Sequence, residues 1–555
     1  MGGLAGCLVF PRANPAAVRL MAEQLAHRAP GPASEIGPLA LSGAARRGEM
    51  CAAADGEHSA EALLDLFEKH GESMLPRLRG SFAFALWDGA ALLLARDAFG
   101  EKPLVYCTQD SKLWFASEPR ALKAGGAPLG GIDRAALSDY LELLYVPAPA
   151  TFWAGVRKLP AGHLLRATSS GIELRRWHEL PVPGTAPRRP SRVSVRARLE
   201  EAVRQRAGSS PAALLSGDLD SSAVVALLTR QLGRIRTFSV GFGEADEDLA
   251  FSRRIAERFR SEHHELILRP LSPAEGQKAL SVCAEPLGDP ALVPALAVFR
   301  ALSDECKLVL TSNGGDELFA GHDRYRRIAA LPHSQRVARA AQLLRKVAPR
   351  QDRGKLGRAA LALGSRGAER ARALIEVFSL EERRALLHGH ARVYPAAATE
   401  AQGDVDAALA FDLGVWLPDG LLARTDAAST RFGVEARAAL LDAALAELVV
   451  PPAPRHKLAR VRGEKLLRDA VADLLPRDVL RQRRARAQGV PVGAWLRGPL
   501  RAVLGDLVRA PSARIRTFLD PRAVDRALDM SLAPRGNPSQ AWALLALEIW
   551  AREQR

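Results

Sequence analysis

The chain has 555 residues, 48% of them hydrophobic and 5% aromatic, with a net charge of +16. That length calls for two or more domains with large cores, and so few aromatics argue against a stacking platform for single-stranded nucleic acid. The basic excess is spread thinly, its densest cluster being Arg481, Arg483, Arg484 and Arg486, and it reads as solvated surface in an Arg- and Ala-rich chain rather than as a nucleic-acid face.

Residues 1–178 hold short apolar runs separated by turn signals. Runs at 81–87, 91–95 and 112–116 predict strands of a layered, β-rich domain, with helices over 60–68 and 134–145. Residues 179–192 are Pro-rich and read as a linker. From 193 to 555 strand and helix signals alternate at first: strands at 212–215, 235–240, 264–268 and 307–310, helices at 221–232, 247–260 and 292–304. Such alternation predicts a parallel sheet with helices on both faces, and ligands bind such sheets at the carboxyl ends of strands. Beyond about residue 331 the chain is mostly Ala/Leu/Arg helix. The five cysteines form no CxxC pair, which fits a reduced compartment better than a disulfide or zinc framework. No apolar run approaches the roughly 18 residues that span a bilayer. Leu4-Ala5-Gly6-Cys7 lacks the lead of a lipoprotein signal. A cytoplasmic protein without a membrane partner is expected.

Two strand ends carry chemistry. The first is Ser216-Gly217-Asp218-Leu219-Asp220-Ser221-Ser222, a small-residue turn leading into a helix, the layout that surrounds a phosphate with backbone N–H groups. Asp220 adds a carboxylate for Mg2+, as in the pyrophosphate grip of ATP sites that transfer AMP. Asp218 is an oddity, a second carboxylate where glycine would be easier to accommodate. The second strand end is Thr311-Ser312-Asn313-Gly314-Gly315-Asp316-Glu317. Asp220 and Asp316 could converge on one Mg2+; taken singly, each is an ordinary helix N-cap candidate. A third segment, Arg462-Gly463-Glu464-Lys465-Leu466-Leu467-Arg468, sets Lys465 at a helix start, where it could neutralise pyrophosphate.

Together these segments resemble the class B asparagine synthetase family over nearly the whole chain. The first block matches its glutaminase domain in His27-Arg28-Ala29-Pro30, in the run 78–88, in Ala95-Arg96-Asp97, Gly100-Glu101-Lys102-Pro103-Leu104 and Phe115-Ala116-Ser117-Glu118. The second matches its synthetase domain in the two strand-end motifs, in Glu285-Pro286-Leu287-Gly288-Asp289-Pro290, Leu417-Pro418-Asp419, Glu435-Ala436-Arg437, Leu441-Asp442 and Lys465-Leu466-Leu467-Arg468. The resemblance implies an N-terminal layered αββα glutaminase-like domain and a C-terminal parallel-sheet, adenine-nucleotide α-hydrolase-like synthetase domain with extra helices. It implies an ATP- and Mg2+-dependent amide-forming ligase, in which a small-molecule or peptide carboxylate becomes an acyl-adenylate and an amine displaces AMP. Ser216, Gly217, Asp218, Asp220, Ser221 and Ser222, with Thr311, Ser312 and Gly314, would hold the nucleotide. Asp220 and Asp316 would hold the metal, and Lys465 and Asn313 would face the reacting centre. A homodimer is compatible with the family.

The departures from the pattern matter as much. Glutamine-using members expose a cysteine after methionine removal, whose thiolate attacks the glutamine amide; here Gly2 stands there, and Cys7 lies in an apolar run. The Asn-Gly-Glu oxyanion segment is missing, and Ser59 aligns with the aspartate that anchors the glutamine amine. Glutaminase activity is therefore expected to be absent. Asn313 stands where asparagine-forming members have a glutamate and β-lactam synthetases a tyrosine, and an amide is no base. The amine is then ammonia or an amine of the substrate. An intramolecular lactam or lasso-peptide cyclase and a catalytically silent scaffold are the competing readings.

Overall fold

The computed structural model describes residues 2–9, 13–110, 112–209, 212–241, 243, 246–268, 272–331, 334–347, 350–394, 401, 403–459, 463–481 and 490–554. Arg462 and three arginines of the basic cluster (Arg483, Arg484 and Arg486) lie outside the described residues. The chain divides into two compact units: 1–137, 146–180 and 418–435 form the first, and 138–145, 181–417 and 436–555 the second.

The first unit is built from two six-stranded sheets. One runs in the order β10 (Val156–Lys158), β8 (Val105–Gln109), β9 (Lys112–Ala116), β1 (Ala5–Val9), β3 (Leu39–Ser42), β2 (Ala33–Ile36). The other runs β12 (Gly171–Arg176), β11 (His163–Thr168), β7 (Leu92–Arg96), β6 (Phe82–Trp87), β5 (Met50–Gly56), β4 (Ala45–Arg47). Every residue of β6 is buried, and strand periodicity explains how. Ala83, Ala85 and Trp87 join Leu4, Leu8, Leu41, Phe115 and Leu165 in one apolar core made by residues of both sheets. Phe82, Phe84 and Leu86 point the other way, into a second core with Leu63 and Leu64 of the helix Ala60–His70. A strand covered on both faces reads as an unbroken apolar run, which is the pattern of residues 82–87.

The second unit holds a five-stranded sheet in the order β15 (Glu262–Ile267), β14 (Arg236–Gly241), β13 (Ala212–Leu214), β16 (Leu308–Thr311), β17 (Glu435–Ala438). β13 pairs parallel with both β14 and β16, and β14 parallel with β15, as the alternating pattern predicts. The helix after β13 starts at Leu219, two residues earlier than expected, because Asp218 already takes the extended backbone of an N-cap. The helix Pro538–Glu553 is buried on all sides from Gln540 to Ala551, a core helix rather than a surface one. Among the described residues, no helix is long and apolar enough to cross a membrane.

Candidate active site

The loop after β13 is shaped by one glycine. Gly217 has φ +80°, and a Cβ on it would lie 2.8 Å from Phe251 Cβ and 3.0 Å from the Asp248 carbonyl. Any side chain is therefore excluded both by the backbone and by the packed helix Glu247–Phe259. Ser216 and Ser221 tie the loop to itself: Ser216 N donates to Ser221 Oγ at 3.2 Å, and Ser221 Oγ donates to the Asp218 carbonyl at 3.1 Å. Asp218 Oδ2 accepts from Ser216 Oγ at 3.3 Å. Asp220 and Ser222 are buried in the first turn of the helix, and Ser222 Oγ has no hydrogen-bond partner. The preceding strand end is anchored by Ser252 Oγ, which donates to the Leu215 carbonyl at 3.1 Å.

The other strand end, after β16, is a short turn followed by the helix Gly315–Phe319. Asp218, Leu219, Asp220, Asp316, Glu464, Arg468 and Val479 line one cleft. Missing side chains make this approach feasible: a Cβ on Gly315 would lie 2.9 Å from Asp220 Oδ2, and one on Gly321 would collide with Asp316 Oδ1 and lie 3.1 Å from Glu464 Cγ. His322 braces the far side, with Nδ1 3.4 Å from Asp316 Oδ2 and Nε2 2.8 Å from Glu317 Oε1.

Not every candidate reaches the cleft. Lys465 Nζ donates to Asp469 Oδ2 at 2.8 Å on its own helix, and the wall from this segment is made by Glu464 and Arg468, joined at 3.3 Å. Arg468 lies in the helix Lys465–Ala470 and Glu464 is the N-cap residue just before it; their spacing of four residues was the sequence signal for the pair. The Thr311 hydroxyl is turned to the Arg437 carbonyl at 3.5 Å. Ser312, Asn313 and Gly314 form the turn between β16 and its helix and do not line the cleft.

The chemistry of the donors fits Mg2+ with phosphate. Among the described residues, no three His, Cys, Asp or Glu side chains come together to cage a metal. Asp220 and Asp316, two of the carboxylates lining the cleft, are the kind of partial donor set that Mg2+ uses when phosphate oxygens and water complete its octahedron. The buried, orphaned Ser222 hydroxyl beside the loop suits an anion acceptor.

The first unit holds a different charged cluster where its glutaminase-like motifs meet. Arg28, 3% exposed, has Nε 2.7 Å from Glu118 Oε1 and Nη1 3.3 Å from Asp55 Oδ2, and it also pairs with Asp426. Lys102 Nζ stands 3.8 Å from Asp55 and 3.7 Å from Asp426. Burial works against the Arg28 charge, but Asp426, Glu118 and Asp55 outweigh it and hold the guanidinium protonated well above its ordinary range. Burial would raise Glu118; Arg28, His27 and Arg120 instead hold it well below the usual carboxylate range. Burial raises Asp55 despite Lys102 and Arg28. The Ala95-Arg96-Asp97 motif is structural: Asp97 accepts from the N–H groups of Phe99, Glu101 and Lys102 at 3.0–3.1 Å. Ser59 caps the helix Ala60–His70, accepting from Ala62 N at 3.2 Å. All five cysteines are buried, and burial pushes the Cys7 thiol up to about 11. At Gly2 a Cβ would lie 2.6 Å from the Ala54 carbonyl oxygen.

A layered amidotransferase-type unit joined to a parallel-sheet unit with two motif-bearing strand ends defines a class of two-part synthetases. The glutamine amidotransferase domain family matches residues 47–178, and the asparagine synthase family matches 194–552. The chain is 32% identical over 541 residues to a putative asparagine synthetase [glutamine-hydrolyzing] of Mycobacterium tuberculosis, a match covering 90% of this chain and 80% of that protein. It is 26% identical over 514 residues to asparagine synthetase [glutamine-hydrolyzing] 1 of Bacillus subtilis, covering 88% and 80%. Over 288 residues it is 30% identical to the carboxyethyl-arginine beta-lactam-synthase of Streptomyces clavuligerus, covering 50% and 53%. The chain belongs to the asparagine synthase family. It is accordingly an enzyme of the ligase kind, ATP-dependent and amide-forming, as its resemblance implied.

Proposed function

We propose that the second unit activates a carboxylate with ATP as an acyl-adenylate and then joins the acyl group to an amine. In the first step a carboxylate oxygen attacks the α-phosphorus, and the bond to pyrophosphate breaks. In the second the amine nitrogen attacks the acyl carbon, AMP leaves, and the nitrogen loses a proton. The observation that carries this reading is one cleft lined by Asp220 and Asp316, carboxylates from two separate strand ends. The Ser216–Ser222 loop would bind pyrophosphate through its N–H groups, and Asp220 and Asp316 would hold Mg2+. When bound, Mg2+ would neutralise charge on the phosphate oxygens. Among the described residues, Arg468 is the cation lining the cleft, and it is suited to the departing pyrophosphate. Thr311, Ser312 and Gly314 would complete the nucleotide site, and Lys465 would serve it if its ammonium exchanged Asp469 for phosphate. The test is pyrophosphate exchange into ATP with a panel of carboxylic acids; no acid-dependent exchange with any of them would leave the scaffold reading in its place.

The amine is ammonia or belongs to the substrate itself. The latter makes the enzyme a lactam- or peptide-ring-forming cyclase, and Asn313, an amide with no basic site, favours it. Asp218 bears on nucleotide affinity. It lines the cleft beside Asp220, and a like charge about 5 Å from phosphate repels by roughly 3 kcal/mol at an effective dielectric near 20. Asp218→Gly is expected to tighten ATP binding by on the order of a hundredfold, read by titration calorimetry; an unchanged Kd would mean that the carboxylate does not meet the phosphates.

The first unit, on this reading, hydrolyses no glutamine. Cys7 is buried with a raised pKa, position 2 has no room for a side chain, and Arg28 is already satisfied by protein carboxylates. Incubation with glutamine is expected to release no glutamate, and ammonium salts to replace glutamine fully where ammonia is the amine. Steady glutamate release would refute this.

A further inference from the structure

The helix Gln335–Val347 in the second unit is packed inside out. Its one buried residue among those described is Ala338, 4% exposed. Ala338 faces Gly364, at the end of the helix Arg350–Gly364, where a Cβ would lie 3.2 Å from Ala338 Cβ. At this point the two helices meet through small residues. The larger aliphatic ones look outward: Val337 is 49% exposed, Leu343 64% and Leu344 58%. Val337, exposed Ala340 and Leu344 follow the i, i+3, i+7 spacing of one helix face, with Leu343 beside it. Arg336, Arg339 and Lys346 are exposed around that face. The helix carries no Asp or Glu, and residues 335–358 hold eight Lys or Arg against the single Asp352. Nearly half of the chain's charge excess of +16 therefore sits in 24 residues, which overturns the expectation that it is spread thinly.

We propose that this face docks onto an anionic lipid surface. An exposed Val/Leu stripe rimmed by Arg and Lys is the pattern of a helix lying in the membrane interface, with aliphatic groups among the acyl chains and cations at the headgroups. Thirteen residues make a stripe about 20 Å long that can lie flat on such a surface. A second copy is a poor occupant, since it would bring two strongly basic faces together. A folded protein partner is disfavoured because the helix offers no aromatic anchor of the kind that concentrates affinity in protein interfaces. Contact of this kind needs no membrane span.

The test is cosedimentation of the full-length protein with vesicles of phosphatidylcholine alone, or with phosphatidylglycerol as about a third of the lipid. Binding is expected to the anionic vesicles, to be at least roughly tenfold weaker on the neutral ones, and to fall as salt is raised. The double variant Leu343→Gln/Leu344→Gln and the double variant Arg336→Gln/Arg339→Gln should each bind anionic vesicles roughly tenfold less, with unchanged thermal unfolding, because these side chains are exposed. Equal binding by the wild type and the leucine variant would assign the attraction to diffuse charge and overturn the proposal. So would absence of vesicle binding, whether or not an acidic peptide binds in a Leu343- and Leu344-dependent way, and so would self-association of the wild type that the leucine variant abolishes.

Discussion

Asp220→Asn and Asp316→Asn are each expected to lower substrate-dependent pyrophosphate release by roughly a hundred- to a thousandfold, the scale of losing one preorganised electrostatic partner of a phosphate reaction. Asparagine keeps the shape that lets residue 220 pack on Gly315 and residue 316 on Gly321. It removes only the negative charge, so the fold should persist while the affinity for a divalent cation drops. The two effects should not add. If both carboxylates clasp one ion, removing the second costs little once the first is gone, and the double variant should fall no further than the worse single one. Manganese binding followed by electron paramagnetic resonance gives a readout apart from turnover and should weaken in both single variants. Near-normal turnover in either variant, or fully multiplicative losses, would remove the shared-cation reading while leaving family membership untouched.

The second large effect belongs to the first unit. Arg28→Met is expected to destabilise it by about 3–5 kcal/mol, since a buried cation is removed while the carboxylates it paired stay buried. Asp55, Glu118 and Asp426 are at most 8% exposed; Lys102 stays near Asp55 and Asp426 and His27 and Arg120 stay on Glu118, but none of them replaces the one cation that all three share. Urea unfolding of the full chain, followed by a tryptophan signal, would measure the loss. Asp426→Asn in the Arg28→Met background should recover part of it, because it removes one of the stranded charges. The pH dependence has a definite sign. The native Glu118 carboxyl titrates below its unfolded value. Its contribution is therefore fully present above the unfolded carboxylate range, near pH ~4.3, and is lost as the pH falls through the lower native value. Wild-type stability should thus decline on acidification below about pH 4, and Arg28→Met should flatten that decline. A stability loss under about 1 kcal/mol, or an unchanged acid limb, would mean that the arginine is not what holds these carboxylates ionised.

Local pattern made a large part of this molecule legible. The strands of the first unit lie within a residue or two of the apolar runs at 81–87, 91–95 and 112–116, because a two-residue period and turn residues are written into neighbouring positions. The parallel sheet followed from alternation, and both phosphate-type loops fall at strand ends, after β13 and β16. Less was legible where function depends on which distant groups meet. Lys465 stood out by its place at a helix start, yet the N-cap Glu464 and the helical Arg468 reach the cleft, and Lys465 is left with Asp469.

By itself the sequence determined many of the helices and strands, the two motif-bearing loops and the family, since each is encoded in residue type and short spacing. Only the tertiary structure decided that Asp220 and Asp316, from separate strands, line a common cleft. It alone decided that residues 418–435, late in the chain, belong to the first unit, where Asp426 reaches an arginine 398 positions earlier. The physical reason is that periodicity reports which face of an element is apolar. Burial of a charge is permitted only by opposite charges that the fold brings from elsewhere, and no spacing along the chain announces where those will come from.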